Sequence, residues 1–358
     1  MPLKLSFHTL APIVAATVLA AAIAGSSGGL MLAVAGAALI AAVLAAVHHA
    51  EVIALRVGEP FGTLILALAI TVIEVALIVS MMLAGGADQA ALPRDTIYAT
   101  LMIICNGVVG LCLLVGGLRH REQSFRIQGA STSLATLLAM TALTLVLPTF
   151  TTSSPGPTYT HSQLIFAALM SLLLWVLFVF VQTVRHRDYF LPEVHTDDAD
   201  VHAAPPTVGE AWASGGLLVV GLVSVVGLAK VLSPSIERGL ETVGAPQAVL
   251  GIVIAMLVLL PETVAAVRAA ASNRLQTSLN LSYGSALASI GLTIPAVAAA
   301  SVWLELPLIL GADAKSLVLL SLTFMVSILT LASGRTHAMQ GSVHLVIFAA
   351  FLFLAFVP

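Results

Sequence analysis

The stretch Gly62-Thr-Leu-Ile-Leu-Ala-Leu-Ala-Ile-Thr71-Val-Ile-Glu74-Val-Ala-Leu-Ile-Val-Ser80 decides the fold class. Its length suits a bilayer-crossing helix, which needs roughly 20 apolar residues, yet a carboxylate sits in its middle. A second stretch repeats the arrangement: Met256-Leu-Val-Leu-Leu-Pro261-Glu262-Thr-Val-Ala-Ala-Val267. No Lys or Arg lies at comparable depth in either. A charged side chain at mid-membrane costs about 2.5–3.5 kcal/mol on insertion scales. Two such residues in matched settings point to use rather than to packing.

The rest of the chain agrees with a membrane setting. Of its 358 residues, 59% are hydrophobic and 9% charged, and mean hydropathy is +1.08. Soluble domains carry roughly 25% charged residues, so a large apolar surface must face lipid. That excludes a soluble enzyme, a nucleic-acid binder and a disordered chain. Cys105 and Cys112 are the two cysteines. They are too few for a disulfide framework or a cysteine metal cluster. On a helix they would stand about 10 Å apart, out of bonding range, and they read as small packing residues.

Eleven segments qualify as spans: 9–25, 29–47, 62–84, 96–117, 131–148, 162–183, 211–232, 246–268, 276–302, 315–333 and 342–357. The expected fold is an all-α membrane protein. The first segment reads as a retained helix rather than a cleaved signal. With the N-terminus in the cytoplasm, ten of the fourteen Lys and Arg fall on the cytoplasmic side, as the positive-inside rule asks. This predicts a multi-pass protein of a bacterial inner membrane with its C-terminus periplasmic or extracellular. The expected division is an N-terminal helix over 1–28, a first repeat over 29–183, a cytoplasmic linker over 184–210 and a second repeat over 211–358. The linker holds His195-Thr-Asp197-Asp198-Ala-Asp200-Val-His202. Closely spaced Asp and His can gather divalent ions, so this run is either a solvated linker or a regulatory segment.

The acid-bearing spans are the third and the eighth. An offset of five makes them cross in opposite directions. The helix after each carries polar and small residues at its middle: Cys105-Asn106-Gly107-Val-Val-Gly110 and Asn280-Leu-Ser282-Tyr-Gly284-Ser285-Ala-Leu-Ala-Ser289. Five helices followed by five inverted helices, with an acidic centre in each half, is the plan of many secondary transporters. Pro261 frees the carbonyl of Leu257, another oxygen that needs a partner at membrane depth. Burial and a like-charged neighbour favour a protonated carboxyl, so proton and cation compete for one site. Calcium suits hard oxygen ligands. Thr71, Asn106, Asn280, Ser282 and Ser285 are candidate neutral ligands, and each has helix packing as its alternative use.

Gly58-Glu-Pro60-Phe-Gly-Thr63 leading to Glu74, Leu-Leu-Pro261-Glu262, and Ser278-Leu-Asn-Leu-Ser-Tyr-Gly-Ser-Ala-Leu-Ala-Ser289 with Pro295 after it resemble the bacterial ChaA-type calcium/proton antiporters of the cation/calcium exchanger superfamily. The resemblance runs from about His48 to the C-terminus and includes the acidic linker. It implies one extra N-terminal helix before two inverted five-helix repeats, with one essential acid per repeat, at Glu74 and Glu262. It places the second-repeat Gly-Ser at Gly284 and Ser285, and Asn106-Gly107 is a less typical counterpart. The superfamily often has Asn three residues before each acid, where this chain has Thr71 and Leu259. The resemblance implies exchange of calcium for protons, with sodium or potassium as further transported ions and no cofactor.

Two rival readings remain at this stage. One is a sodium- or potassium-selective proton antiporter using the same acids. The other is an intramembrane hydrolase, which would need His-Glu-x-x-His, paired Asp, or Ser with His at depth. The chain offers none of these: His161, His337 and His344 read as interfacial, and His48-His49 as preceding a loop. Cations, protons and membrane lipid are the expected partners. Nucleic acid is excluded, and the oligomeric state is not encoded legibly.

Overall fold

The computed structural model describes residues 6–25, 28–58, 61–191, 206–242, 244, 246 and 248–357. Among the described residues, ten helices are long and apolar enough to cross a membrane, and a shorter apolar helix of 17 residues precedes them. In chain order they are α1 (Phe7–Ile23), α2 (Gly29–Val57), α3 (Phe61–Gly85), α4 (Leu92–His120), α5 (Ile127–Phe150), α6 (His161–Arg185), α7 (Val208–Thr242), α8 (Ala248–Ala271), α9 (Leu275–Trp303), α10 (Ala314–Leu331) and α11 (Ala338–Phe356). Each of the eleven segments expected from hydropathy is a helix. The ends differ: α2 runs ten residues past its apolar stretch and takes in His48 and His49, which therefore lie inside a helix. Residues 304–313 form a connection rather than an extension of α9.

The helix ends follow local chemistry. The Thr160 hydroxyl accepts from the Gln163 N–H at 3.4 Å and the Gln163 side chain accepts from the Thr160 N–H at 2.9 Å, a capping box that starts α6. The Asp313 carboxylate accepts from the Ser316 N–H at 2.7 Å and starts α10. Gly334, at φ 67°, turns the chain out of α10.

Among the described residues, four helices contain a π turn, at Ile103–Val108, Ala142–Val146, Val181–Arg185 and Ser289–Thr293. A π turn holds one residue more than the surrounding helix. Those in α4 and α9 lie near the middle of their 29-residue helices.

The chain forms two compact units. The first holds α1, α2, α3 and α7, and α2 packs against each of the other three. The second holds α4, α5, α6, α8, α9, α10 and α11. Its core includes Met102, Ile104, Cys105, Cys112, Leu137, Met140, Tyr283 and Leu287, and both cysteines are free and buried.

The connections of the second unit sort onto two faces. Strand β1 (Glu122–Ser124), between α4 and α5, pairs antiparallel with β2 (Arg335–His337), between α10 and α11. The Gln123 amide donates to Ala270 O at 2.9 Å and to Asn273 Oδ1 at 3.0 Å, which adds the α8–α9 connection. Elsewhere, Ile309 N donates to Ala90 O, and Gly311 N donates to Pro157 O, each at 2.9 Å. Thr149 Oγ1 donates to Ala312 O at 2.8 Å. These bonds join the connections that precede α4, α6 and α10. Strict alternation of spans puts the first set on one side of the membrane and the second set on the other. Arg121, Arg126, Arg274 and Arg335 lie in the first set.

Candidate functional site

Glu74 lies on α3, 3% exposed, in the first unit. Its helix is fixed by apolar burial of Ile73, Leu77, Ile78, Met81 and Met82 and by packing on α2 and α7. One turn earlier Thr71 is buried, and its hydroxyl donates to the Ala67 carbonyl of its own helix at 2.9 Å. Ser80 donates across to Val226 O on α7 at 3.4 Å.

Glu262 lies on α8, 8% exposed, in the second unit. Pro261 sits inside α8, which remains helical from Ala248 to Ala271. Thr263 donates to Leu259 O at 2.7 Å, a side-chain bond of the kind that bends helices. α8 packs against α4 and α9. Its approach to α4 requires glycine: a Cβ on Gly251 would stand 2.8 Å from backbone atoms of Asp95 and Thr96.

The neutral candidates divide by use. Asn106 is fully buried in the α4 π turn, and its amide donates to Thr323 Oγ1 on α10 at 2.9 Å. Its Oδ1 stands 3.2 Å from His344 Nδ1 on α11. Asn280 accepts from the Gln276 amide at 2.8 Å and donates to Phe190 O, so it holds the chain just beyond α6. Ser282 is buried and donates to Ser278 O at 2.9 Å. Gly284 and Ser285 are half-buried, and no atom lies within 4 Å of a Cβ built on Gly284. The regulatory candidates His195, Asp197, Asp198, Asp200 and His202 lie outside the described residues.

One reading of the sequence needs correction. His344 is not interfacial: it has no exposed surface, and both ring nitrogens are engaged, Nδ1 with Asn106 and Nε2 with Thr330 Oγ1 at 3.1 Å. Thr323 and Thr330 were not singled out by sequence reasoning either. The available signal was the i, i+7 spacing of Thr323 and Thr330, which puts both on one face of a helix. His48 and His49 also belong to a built cluster. His48 stacks on His8 with ring centroids 3.9 Å apart, and His49 Nδ1 lies 3.2 Å from Ser214 Oγ.

No group of three or more His, Cys, Asp or Glu among the described residues could hold a metal ion.

Known proteins bear on this geometry. The profile of the family described as sodium/calcium exchanger protein matches residues 27–184 and 213–357. A candidate ionic transporter of Sinorhizobium fredii is 50% identical over 324 residues, covering 89% of this chain and 87% of that protein. The sodium-potassium/proton antiporter ChaA of Escherichia coli is 32% identical over 320 residues, covering 89% of this chain and 86% of that protein. The solved structure of native YfkE superposes with a TM-score of 0.74 at 18% identity, covering 99% of this chain and all of that one.

Proposed function

Because this chain belongs to the sodium/calcium exchanger protein family and is a multi-pass membrane transporter rather than an enzyme, we propose that it exchanges calcium for protons by alternating access. Sodium or potassium are further substrates in this reading. The observation that carries it is a carboxylate buried at mid-span on each of two helices, Glu74 on α3 and Glu262 on α8. These helices stand five spans apart, so alternation runs them in opposite directions. In the proposed cycle each acid serves one of two inverted repeats, over 29–183 and 211–358. They are occupied either by a cation or by protons, and access changes sides only when their charge is neutralised. Thr71, Ser282, Gly284 and Ser285 would supply hydroxyl and main-chain oxygens.

A second reading is favoured by a specific observation. The Asn106 carboxamide is engaged by Thr323 and His344, and Asn280 is engaged by Gln276 and Phe190. That leaves fewer neutral oxygens for a calcium ion, which takes 6–8. A sodium- or potassium-selective proton antiporter is the alternative, in keeping with the name of the Escherichia coli relative.

The proposed setting is a bacterial inner membrane with the N-terminus and the 184–210 linker cytoplasmic and the C-terminus on the opposite side. In this arrangement the acidic run at 195–202 tunes exchange to cation concentration or pH.

Proteoliposomes with an internal pH dye, given calcium, sodium and potassium separately, test the function. Proton movement on calcium addition supports the first reading. A response to sodium or potassium without one to calcium supports the second.

A further inference from the structure

The second unit contains a directional hydrogen-bond chain among neutral side chains of α4, α10 and α11. Thr323 Oγ1 donates to the Leu319 carbonyl at 2.7 Å, which consumes its hydrogen. Its oxygen therefore accepts the bond from Asn106 Nδ2 at 2.9 Å. That fixes the orientation of the amide and turns Oδ1 toward His344. An amide oxygen only accepts, so His344 Nδ1 must carry the hydrogen. Nε2 is then the acceptor for the Thr330 hydroxyl at 3.1 Å. Every donor has an acceptor from Thr330 through His344, Asn106 and Thr323 to Leu319, and all four side chains are buried, the most exposed at 3%.

The chain is anchored at an unusual piece of backbone. Asn106 sits in the π turn Ile103–Val108, whose extra residue would, on reverting to α-helix, rotate one half of α4 against the other by about 100°. On one side this helix meets α11 through Gly107, Gly110 and Gly117. On another it carries α8, the helix of Glu262.

We propose that His344 is a positioning residue for exchange: with Thr323 it holds Asn106, and so the π turn of α4, in the register that sets the surface on which the Glu262 helix rests. This rests on the reading of Glu262 as the carrier of cation and proton. A displaced α4 surface weakens the loaded state, so the half-saturating cation concentration rises while the maximal rate holds.

The test compares the parent with His344→Leu, His344→Asn and Thr323→Val in proteoliposomes, using the cation to which the parent responds. Monodisperse elution confirms folding. Asn keeps an N–H near the Nδ1 position, whereas Leu removes it. His344→Leu and Thr323→Val should raise the half-saturating concentration by about tenfold at a nearly unchanged maximal rate. His344→Asn should restore the parent value. If His344→Leu fails to fold, Thr323→Val and His344→Asn carry the comparison. Half-saturating concentrations equal to the parent's in His344→Leu and Thr323→Val would overturn the inference, as would a His344→Asn as weak as His344→Leu. A parent that exchanges no cation, or a Glu262→Gln that exchanges normally, would instead remove the carrier role itself.

Discussion

Replacing Gly341 with alanine should separate α4 from α11. A Cβ on Gly341 would stand 2.7 Å from the Gly110 carbonyl oxygen and 2.9 Å from Leu114 Cα, with Leu114 N closer still. These are backbone atoms, so no side chain can swing aside. Reaching an ordinary contact of about 3.5 Å with the nearest of these atoms needs an opening of roughly 1 Å. The same movement acts on His344, one turn away on α11, and stretches its 3.2 Å bond to Asn106 beyond hydrogen-bonding range. Overpacking costs about 1–3 kcal/mol, and leaving a buried polar group unsatisfied costs about 1–3 kcal/mol more. The helix preference for alanine returns about 1 kcal/mol. The net expectation is a loss of about 1–5 kcal/mol. Gly36→Ala on α2 is the matched control, because nothing lies within 4 Å of its added Cβ. Thermal unfolding of the purified variants in one detergent reads the contrast: Gly341→Ala should melt well below the parent, and Gly36→Ala at or above it. Equal midpoints for the two alanine variants would refute the seam as described.

Three further outcomes follow from other parts of the molecule. Deleting 193–202 should leave exchange intact while changing its dependence on cation concentration or pH, and complete loss of transport by the folded deletion would show the segment to be part of the transport path. Burial pushes the Asp313 carboxyl up, but bonds from the Ser316 N–H and hydroxyl, then the charges of Lys315 and Arg94, outweigh it and hold the group below the usual carboxylate range. Its stabilising contribution is therefore present above the unfolded value of about 3.9 and lost as pH falls through the folded one; Asp313→Ala should cost about 0.5–2 kcal/mol at neutral pH, with a difference from the parent that narrows in acid melts. Glu305→Gln should exchange almost normally in vesicles, because Glu305 is an exposed residue in the connection after α9.

The helices were legible in the sequence because membrane spans announce themselves by length and apolarity, and the two acids were legible because carboxylates are costly there. What sequence missed has physical reasons. The expected second span stopped at Val47 because hydropathy falls at His48-His49-Ala-Glu51, yet helical hydrogen bonding continues to Val57 whatever the side chains face. His344 read as interfacial because it sits early in an apolar run, and periodicity says nothing of a partner 238 residues away. The choice between ligand and packing uses of Asn106 stayed open for the same reason, its partners Thr323 and His344 being remote in sequence. The π turns have no compositional mark, since one extra residue in a turn leaves the apolar pattern almost unchanged.

The central claim is that Glu74 and Glu262 bind the cation and the proton in alternation. Gln is nearly isosteric with Glu and keeps an oxygen ligand, but it cannot ionise. Removing an intramembrane charge relieves about 2.5–3.5 kcal/mol when the acid is ionised, so the fold should persist. The direct measurement is cation-driven proton movement in vesicles carrying the Glu74→Gln, Glu262→Gln double variant, beside each single variant and the parent. The account predicts folded, inserted proteins with no exchange of calcium, sodium or potassium for protons in any of the three variants. Substantial exchange by the double variant would contradict it.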